Sequence, residues 1–185
     1  MVQECVLTVG LLGCPKYMPG SGRLEQQEAG LPVSNGDAVQ QMAELGFWRD
    51  RLASAPKELP LPVDRPHPAE PAPPSASVTR ELPMSLGDDA ELIVLSAFVV
   101  LLHRYAGTAD VVLGIGSLVP LRVDLGGSPG FDDVVMRVTE AREEALAHQV
   151  PFDDLVGELQ PERGRGGSAL VNVGFNAETS LPPTA

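Results

Sequence analysis

A chain of 185 residues suffices for one domain with a hydrophobic core and is short for two. Its formal net charge of −12 repels phosphate backbones and anionic lipid heads, and no basic patch or run of about 20 apolar residues offsets that, so neither nucleic acid nor a membrane is expected as a partner. Prolines are densest in the first half, which puts the ordered part of the chain in the second.

Residues 1–36 read as an irregular N-terminal extension with one short strand, Val6 to Leu12, followed by a Gly/Pro/Ser-rich run. The apolar stretch ending in Leu11-Leu12-Gly13-Cys14 is similar to a lipoprotein cleavage box. The acidic Met-Val-Gln-Glu start lacks the positive charge of a signal peptide, so a soluble cytoplasmic protein is expected. Cys5 and Cys14 then read as free thiols in a reducing compartment. Two lysines against eleven arginines, with abundant alanine, glycine and proline, suggest a GC-rich coding sequence of the actinobacterial kind.

Residues 37–55 form a helix capped by Asp37, with Val39, Met42, Leu45, Phe47 and Leu52 apolar and Trp48-Arg49 in its last turns. Prolines recur through 56–75, which leaves an extended, polyproline-like connector. The core is expected in 76–178, before a tail at 179–185. Ser77 to Leu82 alternates as a short strand. Asp88-Asp89 then cap an apolar helix, Ala90 to Tyr105, which is apolar on most of its circumference and so expected to be buried, with Gly107 as its left-handed terminator. Two alternating strands follow, Asp110 to Ile115 and Leu118 to Leu125, joined by a two-residue turn at Gly116-Ser117, with Arg122 and Asp124 pointing outward.

Ser128-Pro129 opens a helix with Phe131, Val134, Val135, Val138, Ala141 and Ala145 on one face and an Asp133 to Arg137 pair on the other. A short helix follows Pro151, and Ala169, Val171, Val173 and Phe175 alternate as a last strand. The fold class is α/β (α+β), a two-layer mixed sheet with helices packed on one face.

Six segments carry a resemblance. They are Phe47-Trp48-Arg49-Asp50-Arg51-Leu52-Ala53, Leu61-Pro62-Val63-Asp64-Arg65-Pro66, Leu101-Leu102-His103-Arg104-Tyr105, Leu121-Arg122-Val123-Asp124-Leu125, Leu159-Gln160-Pro161-Glu162-Arg163 and, most specific, Ala147-His148-Gln149-Val150-Pro151-Phe152-Asp153-Asp154-Leu155-Val156. In this order, over about residues 38–178, the chain resembles the C-terminal half of a nonribosomal peptide synthetase condensation domain, internally shortened. The resemblance implies half of a chloramphenicol-acetyltransferase-like pseudo-dimer, in a family whose carrier proteins approach a tunnel between two halves. It also implies a catalytic HHxxxDG motif in the other half, and none of His67, His103 or His148 begins such a motif here. The family's Gly-x-Phe-Val-Asn-Thr signature is absent as well, and Gly116-Ser117 joins directly to Leu118.

The catalytic residues are therefore unknown from the sequence. His103 reads as a structural hydrogen-bonding group, His148 as a helix-end imidazole meeting the last carbonyls, and His67 as solvent-facing. Ser117 and Ser168 sit in no Gly-x-Ser-x-Gly elbow, Gly164 to Gly167 is not a phosphate loop, and Asp153-Asp154 favour a helix dipole. No metal or cofactor is expected. Two functions are open: a noncatalytic accessory contacting a peptidyl carrier protein or synthetase module, or a homodimeric acyl-transfer or cyclisation enzyme with an interfacial pocket. The missing motif favours the first.

Overall fold

The computed structural model describes residues 5–11, 35–56, 58–62, 89–159 and 170–179, and within them the chain builds a mixed α/β layer structure. Four strands, β1 (Cys5–Leu11), β2 (Asp110–Ile115), β3 (Val119–Asp124) and β4 (Val173–Thr179), lie in the order β1-β4-β2-β3. β2 and β3 form an antiparallel hairpin, β2 and β4 run parallel, and β1 pairs antiparallel with β4 along its whole length. The strand read at Val6 to Leu12 is thus described over Cys5–Leu11 and is an outer member of the sheet among the described residues.

The period-two pattern of β2 and β3 puts Val111, Leu113, Ile115, Leu121 and Val123 into the main core, as their alternation predicts. Val112 is buried too, because the other face of β2 is covered by Leu118 and Val171. The hairpin loop holds three residues rather than two: Ile115 pairs with Val119, Gly116 takes φ 51° and Leu118 φ 68°. Leu118 leaves the strand to lie over Gly114, where a Cβ would come within 3.3 Å of Leu118 Cδ2. The last strand starts at Val173, later than the alternation from Ala169 suggests. Leu170 adopts φ 67°, which breaks the extended run, and Val171 joins the second cluster instead.

Two long helices cover the main face, α2 (Ala90–Ala106) through Leu95, Ser96, Val99 and Leu102 and α3 (Phe131–Ala147) through Val134, Val138, Ala141 and Ala145. α2 is not buried all round: Leu101 and Tyr105 are exposed, since only one face of a helix on a single sheet can be covered. Asp89 is its N-cap but makes no side-chain cap bond, and Gly107 closes it at φ 65° with its N–H donating to the His103 carbonyl at 2.9 Å.

α3 begins at Phe131, so Ser128-Pro129 belongs to the lead-in; the Gly126-Gly127 turn and Ser128 itself, at φ 56°, use up the intervening chain. Phe131 stays exposed, and the Gly130 N–H donates to the Asp133 carboxylate at 3.1 Å. Arg137 bonds the carbonyls of Asp124 (2.7 Å) and Gly126 (3.0 Å), so the expected Asp133 to Arg137 pair gives way to two other contacts.

An earlier helix, α1 (Asn35–Leu52), starts two residues before the expected cap Asp37, and a short one, α4 (Phe152–Leu159), follows Pro151. In α1 Val39 and Met42 are 68% and 73% exposed, and burial falls on Trp48 at 2%. The start of the proline-rich connector is held down at Leu59, whose N–H and carbonyl both bond the Asn172 side chain, at 3.1 and 3.0 Å. Ser77 to Leu82 and the connector from residue 63 lie outside the described residues.

Candidate functional site

The fold brings the most specific sequence segment, Ala147 to Val156, together with the matched segment at Phe47 to Ala53, although they are about a hundred residues apart. Trp48 on α1 donates from Nε1 to the His148 carbonyl at the end of α3, at 2.6 Å. The ring of Phe47 stacks on the His148 imidazole with centroids 3.8 Å apart and planes 16° from parallel. Nδ1 of His148 donates to Glu44 at 2.5 Å. The Glu44 carboxyl is held below its ordinary value of 4.5, chiefly by that bond. Gln41 donates to Asp154 at 2.9 Å, and Arg49 pairs with Glu158, so α1 also grips α4, while Leu155 of α4 is fully buried.

His148 therefore does not meet the last carbonyls of α3 with its ring. Its own backbone N–H bonds the Glu144 carbonyl at 3.3 Å, and the ring turns to the Glu44 side chain because α1 packs there. Asp154, expected to favour the helix dipole, also accepts from Gln41.

A second polar centre lies beside the first. Arg122 is fully engaged rather than outward-facing: Nε and Nη2 form a fork on Asp110 at 2.9 and 2.6 Å, Nη1 donates to the Arg51 carbonyl at 2.6 Å, and Nη2 also reaches Ser54 Oγ at 3.2 Å. Bonding to Asp110 raises its pKa above the ordinary guanidinium value and keeps it cationic. Arg51 in turn pairs with Glu144 at 3.1 Å. Next to this network an open groove of about 560 Å³ is lined by Arg51, Arg122 and Arg137 and by Asp124, Glu140 and Glu144. Three cations face three carboxylates, so the groove carries no strong field of either sign.

His103 sits elsewhere, donating from Nδ1 to the Thr108 carbonyl at 2.7 Å, the structural bond its surroundings suggest. His67, Ser168 and Gly164 to Gly167 lie outside the described residues, and Ser117 stands in the hairpin loop. Among the described residues no cluster of His, Cys, Asp and Glu could hold a metal ion. Among them, too, no helix is long and apolar enough to cross a membrane. The sequence alone did not mark Glu44 or the Arg122 network, although both lie in or beside the matched segments.

No family model matches the chain. One of the linear gramicidin synthase proteins of Brevibacillus parabrevis is 32% identical over 169 residues, which is 76% of this chain and 2% of that protein. A chain of the solved complex of the X-domain and OxyB from teicoplanin biosynthesis matches with a TM-score of 0.62 and 28% identity, over 77% of this chain and 41% of that one. The starter condensation domain of rhizomide synthetase RzmA, solved as a double mutant in complex with C8-CoA, has the same fold, with a TM-score of 0.58 and 20% identity over 70% and 35% of the two chains.

This is a condensation-domain-like chain.

The condensation-domain-like chain spans about two fifths or less of these solved chains and a few hundredths of the large synthetases it matches. Relatives of similar identity come from the fungus Mortierella alpina as well as from Streptomyces viridochromogenes, so kinship gives no support to an actinobacterial source.

Proposed function

We propose that this chain serves nonribosomal peptide biosynthesis as a noncatalytic accessory that docks a peptidyl carrier protein or a synthetase module, and that it corresponds to the C-terminal half of a condensation domain. One observation carries the reading: its 28% identical structural relative belongs to a complex between an X-domain and a second protein, OxyB, of one biosynthesis. The local chemistry agrees, because His148, the histidine of the best-matched segment, is engaged between Glu44 and Phe47 as a clamp. Proton transfer in amide formation needs a base within reach of the attacking amine, and the sequence lacks the paired-histidine motif that supplies it in the family.

The test mixes the purified chain with defined carrier proteins, loaded and unloaded, and with single synthetase modules, reading binding by calorimetry and amide product by mass spectrometry. Saturable binding without product is the expected result. Amide above a no-protein control overturns the noncatalytic part, and failure to bind any carrier or module overturns docking.

A further inference from the structure

Among the described residues the two outer strands of the sheet are built differently. β3 reads Val-Pro-Leu-Arg-Val-Asp: Pro120 has no N–H to offer, Arg122 and Asp124 are charged, and the Arg122 carbonyl accepts from the Arg51 guanidinium at 3.2 Å. Features of this kind keep a sheet edge from pairing with another chain. β1, the other outer strand among the described residues, reads Cys-Val-Leu-Thr-Val-Gly-Leu, with no proline and no Asp, Glu, Lys or Arg over its seven positions. Its register with β4 is unbroken from Cys5 opposite Thr179 to Leu11 opposite Val173, so it carries no bulge. A strand of this length offers an edge about 24 Å long.

We propose that β1 pairs with β1 of a second copy, antiparallel about a two-fold axis and centred on Thr8, joining two four-stranded sheets into one. The sequence and the other edge select this occupant. Head-to-tail pairing would need β3 as the acceptor, and Arg51 closes that edge, whereas self-pairing of β1 uses identical strands and stops at two copies. A net charge of −12 opposes self-association in general, and the seven residues of β1 bring no charged side chain of their own against the second copy. The pairing stands apart from the docking function and does not rest on it.

Light scattering on the full chain tests this, with twice the 19.5 kDa chain mass expected. In the centred register Thr8 meets its own copy, so Thr8→Lys places two lysines face to face and should weaken the dimer at least about tenfold. Fluorescence of Trp48, the single tryptophan, and far-UV circular dichroism report whether that variant keeps its fold. Should it unfold, a Cys5→Ser, Cys14→Ser, Thr8→Cys chain decides, because mild oxidation then yields a disulfide-linked dimer. A wild-type monomer, a folded Thr8→Lys variant that still dimerises fully, oxidation of the Thr8→Cys chain without cross-linking, open polymers, or association only with a different protein would each overturn the proposal.

Discussion

Replacing Trp48 tests whether α1 belongs to the body of the domain. The side chain is 2% exposed, meets Phe47 edge-on with ring centroids 5.2 Å apart, and donates to the His148 carbonyl at 2.6 Å. Trp48→Ala removes the whole ring and leaves a cavity between α1 and the end of α3. Losses of that kind run to about 3–5 kcal/mol, a large share of the total stability of about 5–15 kcal/mol typical of a domain. Trp48→Phe keeps most of the volume but leaves the His148 carbonyl without that donor, which costs about 1–3 kcal/mol. Urea unfolding followed by circular dichroism measures both, and the order wild type, Trp48→Phe, Trp48→Ala is expected at unchanged slope. If both variants fall within about 0.5 kcal/mol of wild type, as surface substitutions do, the α1 interface described above is wrong.

Glu44 sets an acid limb on stability. Its carboxyl is depressed in the folded state, so its contribution is complete above the ordinary value of 4.5 and is lost as pH falls from there through the lower folded value. The difference in urea midpoint between wild type and Glu44→Gln should therefore shrink below pH 4.5, and a constant difference would count against the bond to His148. Arg122→Lys keeps the charge but not the fork on Asp110, and should cost about 1–3 kcal/mol in the same assay. Gly107→Ala meets no neighbouring atom, so its expected cost of about 1 kcal/mol is the left-handed backbone alone, and Gly107→Asn should cost less.

The sequence was most informative where one local rule decided the outcome. Alternation placed Val111, Leu113, Leu121 and Val123 in the core, and a glycine after an apolar helix placed the left-handed turn at Gly107. It was least informative where tertiary contacts decide. Arg122 has the period of an outward residue, yet Asp110, Arg51 and Ser54 enclose it. Val39 and Met42 have the spacing of a buried face, but that part of α1 makes its contacts through the polar side chains Gln41 and Glu44, and both apolar residues stay exposed. Of the site, the two segments were legible as motifs, while the Glu44 to His148 bond that unites them was not, because nothing local to either residue points to the other.

Contacts from α1 and from the start of the connector reach 100 to 113 residues ahead in the chain, from Trp48 to His148, from Gln41 to Asp154 and from Leu59 to Asn172. At a synthesis rate of about 5–20 residues per second, Arg51 at the end of α1 can meet Arg122 after 71 residues, whereas Trp48 waits roughly 5–20 s for His148. Through that interval Trp48 and Phe47 have no partner to cover them, and closing so long a loop makes the step slow in refolding as well. The clamp at His148 thus makes docking of α1 a late event on the ribosome, and a chain halted before residue 148 would display an aromatic helix for chaperones to bind.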